Sequence, residues 1–444
     1  MRMNENIIEV IEKADRLLVL AKKAGAEEAE VFGGLVRSMD VDLRKDKVEM
    51  ASEAYHSGLG LRAVINGAVG FSSTSDLSKL EVTAKSAVRA ARARVKDEKW
   101  RSLPGKDHSS RPEDVFDPRM EEIGSDECID RAMSMLDGCM SVPGAEPSSG
   151  GVACVIAVDL IVNSNGVEET EKGTFFHASL DTVARKGESL VTGYEFENSR
   201  QLMEGLEEIG RTAAELAKRS LDGEKGETGE FEVILAPLAF SELLEYAFVP
   251  SICADSVQKG RSSLAGRIGE SVAALGLKIV DDGLLRGGMA SSAFDGEGVP
   301  SQKTTVIEDG VLKSFLYDSY TAGKEGIRST GNGMRGGYST MPRVGTRNLI
   351  VSGDTSDVLE DTKHGFLVNG LIGAHTANPV SGDFSVEGKN VFRVEDGKIG
   401  RPVRSLMLAG NIFDLLRRVE LGKDTRAIGS VVTPSVKVKM KVVG

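Results

Sequence analysis

Five histidines, His56, His108, His177, His364 and His375, are the side chains here best suited to hold a metal or move a proton near neutral pH. A zincin-type hydrolytic site needs two imidazoles one helical turn apart on one face. It also needs a nearby glutamate as general base on the metal-bound water. No histidine in this chain is followed by Glu, and no two are helically spaced. His364 and His375 share the second half of the chain, but their eleven-residue separation matches no standard ligand pattern. Four cysteines (Cys128, Cys139, Cys154, Cys253) are widely spaced without a CxxC pair and read as reduced thiols of a cytoplasmic protein. Cys253 as a nucleophile would need a lowered thiol pKa and a neighbouring His, which the sequence does not place there.

Two carboxylate clusters stand out, Asp281-Asp282 and Asp295-Gly-Glu297. Paired acids can do acid–base work. Each is also beside a glycine, and turn formation explains them equally well. Gly331-Asn-Gly-Met-Arg-Gly336 formally matches GxGxxG, but Gly337 to Pro342 follows it, which is a poor start for the helix a dinucleotide site requires. Neither a P-loop nor a GxSxG elbow is present.

The elements that must position such residues are read from periodicity. With 444 residues the chain can build two or three cores. Its net charge of −12 and 5% aromatic content disfavour nucleic-acid binding by phosphate neutralisation or base stacking. No apolar run is long enough to span a bilayer, and the acidic residues in MRMNENIIEVIEKADRL argue against a secretory leader. Ile7, Ile11, Ala14, Leu18 and Ala21 form a helical stripe ended by Gly25. Further helices are expected from a cap at Asp76 to about Val95, over 126–139, over 202–221, from about Phe240, and over 412–421. Asn66-Gly67, Asp309-Gly310 and Asp396-Gly397, each between apolar runs, predict hairpins. Lys437, Lys439 and Lys441 alternate with apolar residues and read as the solvated face of an edge strand. The stretch 222–230 has no apolar residue and is expected to link two domains, 1–221 and 231–444.

Val233–Gly283 resembles, without a gap, the zinc-helix region of the TldD/PmbA peptidases (peptidase family U62). Gly58–Ser78 is similar to that family's hairpin, and Phe294–Asn332 and Ser381–Leu416 to its later blocks. The zinc-bearing TldD branch carries His-Glu-x-x-x-His, where this chain has Glu245, Tyr246 and Pro250. That branch also supplies a late cysteine ligand, and no cysteine follows Cys253 here. The resemblance is therefore to the PmbA/TldE-like branch lacking the zinc motif.

The resemblance implies an α+β first domain with antiparallel strands and helices, a mainly β, barrel-like second domain, and a subunit of a cytoplasmic metallopeptidase complex that degrades or matures peptides. Zinc would come from a TldD-like partner in a heterodimer, with no metal or cofactor in this chain. Arg335 and Tyr338, in a glycine-rich run, are candidates to hold a peptide substrate. On the helix, Phe240, Leu243, Leu244, Ala247 and Phe248 are expected to pack, Glu242 and Glu245 to face solvent, and Pro250 to end it early. The alternatives are a stand-alone peptide-binding homodimer, or an autonomous hydrolase built on Glu245, Asp281, Asp282 or Cys253. Nucleic-acid and membrane partners are not expected.

Overall fold

A computed structural model describes residues 2–444, with side chains described from residue 6 onward. Six long strands form one antiparallel sheet in the order β3-β2-β1-β4-β5-β6. They are β1 (Glu28–Arg44), β2 (Lys47–Ile65), β3 (Ala68–Thr74), β4 (Ala145–Asn163), β5 (Glu168–Lys186) and β6 (Ser189–Ser199). Asn66 and Gly67, at φ 50° and 72°, make the left-handed pair that closes the β2–β3 hairpin, as their types predict.

One face of this sheet is covered by helices α1 (Arg2–Ala24), α2 (Leu80–Arg92), α3 (Arg119–Glu122), α4 (Ser125–Met140) and α5 (Glu207–Arg219). Val10, Ala14, Leu17 and Ala21 of α1 pack with α2 against Val31, Leu59 and Leu160. Met135 of α4 and Ala214 of α5 pack against Val152 and Phe176. Because side chains alternate along a strand, the opposite face carries Phe32, Asp159, Ile161 and Glu171, and the second half of the chain covers it.

In the second half, strands His364–Ile372, Gly229–Leu235, Val436–Val443, Met407–Asn411 and Asp383–Glu395 pair in that order. The first also pairs with the last, closing a five-stranded barrel. A second, open sheet runs Val311–Leu312, Lys303–Glu308, Lys278–Asp282, Asn348–Ser352, Val431–Thr433, Arg426–Ile428. Asp309-Gly310 and Asp396-Gly397 both adopt the expected paired positive φ. Among the described residues no helix is long and apolar enough to cross a membrane.

Several local expectations are corrected. Val436–Val443 is an interior strand, since barrel closure pairs both its edges. Lys437 is buried against Glu420 at 2.9 Å, and only Lys439 and Lys441 point out to solvent. Within the 222–230 linker, Glu224–Lys225 pairs in parallel with Val403–Arg404 and Gly229 already enters the barrel. Asp76 accepts from the Ser78 N–H and hydroxyl in a local turn, and α2 starts beyond it, at Leu80, without a side-chain cap. The helix at Ile412 stops at Leu416, where Glu420–Leu421 peels away to pair with the last strand.

Candidate functional site

The helix that resembles a zinc helix begins at Pro237 in its first turn, where the missing N–H costs nothing. It runs as α6 (Pro237–Leu243), a π turn (Leu244–Phe248) and α7 (Val249–Ile252). Phe240, Leu243, Leu244, Ala247 and Phe248 are buried in the barrel core, as their spacing predicts. Pro250 does not end the helix. The Val249 N–H bonds to Leu244 O, five residues back, and this wider turn accommodates a proline ring that would press on the carbonyl four residues back in a regular helix.

Glu245 and Tyr246 are exposed, and the Tyr246 ring meets His375 edge-on with centroids 6.4 Å apart. Glu242, in contrast to its expected solvent position, is half-buried and accepts the Leu371 N–H at 2.9 Å. Burial raises its pKa. The three motif positions thus offer a carboxylate, a phenol and no donor from proline. Among the described residues no three His, Cys, Asp or Glu side chains converge as a ligand set. These residues do not fit a zinc site.

His364 and His375 cannot share an ion, because His364 opens the strand His364–Ile372, which at ~3.3 Å per residue puts its far end roughly 26 Å away. His364 packs on Phe231 instead. Cys253 is buried, donates its thiol hydrogen to Val249 O at 3.3 Å, and burial pushes its pKa to about 12, which is the opposite of an activated nucleophile.

The most heavily charged region lies elsewhere, at the seam between the outer sheet face and the second half. Arg62 of β2 is 3% exposed and bridges Glu30 of β1 at 2.6 Å and Glu297 at 2.9 Å. Burial opposes its charge, but the two carboxylates outweigh that and raise its pKa. Glu297 Oε2 also accepts the Ser319 N–H at 2.7 Å, so although burial favours its neutral form, Arg62 and this bond hold its pKa low. Asp295 accepts three N–H groups, from Glu297, Val299 and Gly333. Burial first, and the charge of Glu297 second, still push it to about 7. Asp281 is buried, accepts from Asn332 Nδ2 and the Arg347 N–H, and is raised by burial to about 6. Asp282 caps the following turn at Leu284 N and faces Lys303.

Arg335 is drawn into this seam and not onto an open surface. Its Nε donates to Gly296 O at 2.5 Å, Nη1 to Thr340 O at 2.8 Å, and Nη2 pairs with Glu30. All three nitrogens are engaged within the chain, so the guanidinium holds its own loop to the sheet. Tyr338, on the same loop, is half-buried over Gly34, Gly58 and Gly60. A Cβ on Gly60 would lie 1.9 Å from the Tyr338 carbonyl oxygen, so that close approach requires glycine.

Of the seam residues, Asp281, Asp282, Asp295, Glu297 and Arg335 stand out in the sequence, but Glu30 and Arg62 read only as strand charges. One signal was available: Arg62 interrupts the apolar run LGLRAVI, where a solvated charge would be out of pattern.

Comparison with known proteins agrees with this architecture along the chain. The first domain of the PmbA/TldA metallopeptidases matches residues 29–91, their central domain 118–221 and their C-terminal domain 228–444. An uncharacterized protein of Methanocaldococcus jannaschii is 32% identical over 97% of this chain and 99% of its own. A Haemophilus influenzae protein named metalloprotease PmbA homolog is 27% identical over 96% and 94%. The crystal structure of TldE from Thermococcus kodakarensis superimposes with a TM-score of 0.89 at 25% identity, covering 97% of this chain and 100% of that one. With three successive domain matches and full-length relatives, the chain belongs to the PmbA/TldD metallopeptidase family.

Proposed function

We propose that this chain is the PmbA/TldE-like subunit of a TldD/TldE-type metallopeptidase complex, completing a peptide-binding chamber without supplying zinc. The observation that carries the reading is the donor set on the α6–α7 helix: Glu245, Tyr246 and Pro250 cannot make the two-imidazole, one-glutamate arrangement that zinc hydrolysis needs. Zinc, general base and water would come from a TldD-like partner. An extended peptide can be held by main-chain hydrogen bonds at a strand edge, which gives affinity with little sequence preference. In this role Tyr338 would touch peptide with its exposed part, while Arg335 positions the loop that carries it. Four free thiols, all buried, suit a reducing cytoplasmic setting.

The test is elemental analysis of the purified chain combined with cleavage of a generic unfolded peptide, alone and after addition of a TldD-like chain. The expected result is no stoichiometric zinc and no turnover alone, with turnover on addition of the partner. Chelator-sensitive cleavage by the single chain would overturn the proposal. A stable homodimer that binds peptide and ignores the partner would replace it with the stand-alone binding reading.

A further inference from the structure

Between the outer sheet face and the loops of the second half lies a cavity of about 290 Å³, at the small end of small-molecule sites. It adjoins a second space of about 90 Å³, and Asp159, Glu171, Ser292, Met334 and Arg347 line both. None of these belongs to the α6–α7 helix.

The polar groups in this space are mutually unsatisfied. Asp159 of β4 and Glu171 of β5 stand directly opposite each other in the strand ladder. Glu171 accepts the Ala293 N–H at 2.8 Å, whereas among the described residues none hydrogen-bonds the Asp159 carboxylate, which is open to cavity water. Two arginines face them, yet among the described residues neither comes within 4.0 Å of a carboxylate. Arg200 is pinned by three carbonyls, Gly288 at 3.1 Å, Thr174 at 3.3 Å and Ser291 at 2.7 Å, with its guanidinium 3.9 Å from the Phe175 ring centroid. Arg347, 5% exposed, touches Ser292 Oγ and Met334 Sδ, and its buried Nε has no partner.

Burial accordingly raises Asp159 to about 6 and Glu171 above its ordinary value, and lowers Arg200 to about 10 and Arg347 below its own. Asp295, which lines the smaller space, and Asp281 also act on Arg347, yet burial still outweighs the carboxylates around it. A simple anion would be opposed by the two carboxylates, and a simple cation by the two arginines. A molecule carrying both signs answers both. Guanidinium groups favour carboxylates through paired N–H donors, and the unbonded Asp159 has open acceptor sites for an ammonium. Phe175, Met289, Val115 and Met334 supply an apolar wall.

We propose that this cavity binds a small zwitterion, a free α-amino acid with an apolar side chain. Its carboxylate sits on Arg347 and its ammonium on Asp159 and Glu171. The site is separate from the degenerate zinc helix and does not depend on the partner-subunit reading.

Calorimetric titration of the full chain at pH 8 with leucine, N-acetylleucine and leucine amide tests it. Leucine should bind, and each blocked form, having lost one charge, should bind at least tenfold more weakly. Asp159→Asn should weaken leucine at least tenfold while leaving N-acetylleucine no weaker than before. Because no described residue hydrogen-bonds the Asp159 carboxylate, this variant keeps the fold, and a circular dichroism spectrum matching the parent shows that it has. Equal binding of the blocked forms, an inert Asp159→Asn, binding of inorganic phosphate in place of leucine, or no leucine binding at millimolar concentration would each overturn the proposal.

Discussion

Replacing Arg62 by Met is expected to destabilise the seam between the two halves by about 3–5 kcal/mol, the usual cost of removing one partner from a buried ion pair. The structure says where that cost falls. Glu30 is 0% exposed but keeps Arg335. Glu297 is 1% exposed and keeps only the Ser319 N–H on its other oxygen, so it becomes the uncompensated charge.

The single tryptophan reports the event directly. Trp100 stacks with Tyr320 across the seam at 6.3 Å, and the Arg62 guanidinium lies 5.8 Å from its ring. Urea unfolding followed by Trp100 fluorescence therefore gives the free-energy difference. Adding Glu297→Gln to Arg62→Met removes the stranded charge and should recover half the loss or more, a coupling that a double-mutant cycle isolates.

The pH dependence has a fixed sign. In the variant, burial without Arg62 lifts the Glu297 pKa above its unfolded value of 4.5. The folded state then binds the extra proton, and stability falls as pH rises through the raised pKa. The deficit should be largest above about pH 7 and shrink toward pH 5. A deficit under about 1 kcal/mol, or one flat with pH and not relieved by Glu297→Gln, would refute the assignment of this cost to the buried Arg62–Glu297 pair.

Asp159→Asn should stabilise the protein at pH 8. A carboxylate raised from 3.8 to about 6 corresponds to about 3 kcal/mol, and its contact with cavity water screens this to about 1. Since the folded pKa is the higher one, the gain should vanish below about pH 4 in a pH series of thermal melts, and a gain independent of pH would show that the charge was not the cause. Gly60→Ala should cost about 1–3 kcal/mol by overpacking against the Tyr338 carbonyl, and should increase protease cutting within 336–340. Unchanged melting and cutting would mean the loop is not held where the contact places it.

What was legible in the sequence is what is decided locally. Asn66-Gly67, Asp309-Gly310 and Asp396-Gly397 each need two consecutive left-handed residues, and these pairs supply them without reference to the rest of the chain. The helix stripe of Phe240, Leu243, Leu244, Ala247 and Phe248 reads directly for the same reason. Barrel closure does not, because the parallel pairing of Gly365–Val368 with Glu232–Leu235 joins segments more than a hundred residues apart, and neither segment encodes it. The lysine strand was misread on this account: alternation gives the period of a strand but not its neighbours. The charged seam was hidden by the same limit. Asp159 and Glu171 occupy strand positions that alternate out of the helix-covered core, and only the second half, folding over that face, turns an open surface into a partly covered cavity in which Asp159 still meets water. Asp295 and Glu297 sit beside glycine in a turn, as expected, yet their carboxylates are spent on backbone N–H groups and on Arg62.

The α6–α7 helix separates backbone shape from donor chemistry. Positions 245 and 250 are five residues apart, and on a regular α-helix they would point about 140° away from each other. A turn closed by the bond from the Val249 N–H to Leu244 O winds more residues into each turn than an α-helix does and brings such positions toward a common side. That is the backbone an i,i+5 ligand pair requires, and it is present in a chain whose donors at those positions are a carboxylate and a proline. Pro250 gives a local reason for the wide turn, since it has no N–H to offer a regular ladder and its ring needs the displaced carbonyl. The buried side of the same segment, Leu244, Ala247 and Phe248, packs fully into the barrel core. A helix kept in this shape by proline and packing holds its place in the fold without any ion, while Glu245 and Tyr246 remain on its exposed side. It is the local geometry on which the proposed role, a subunit that shapes a chamber and leaves hydrolysis to a partner, is built.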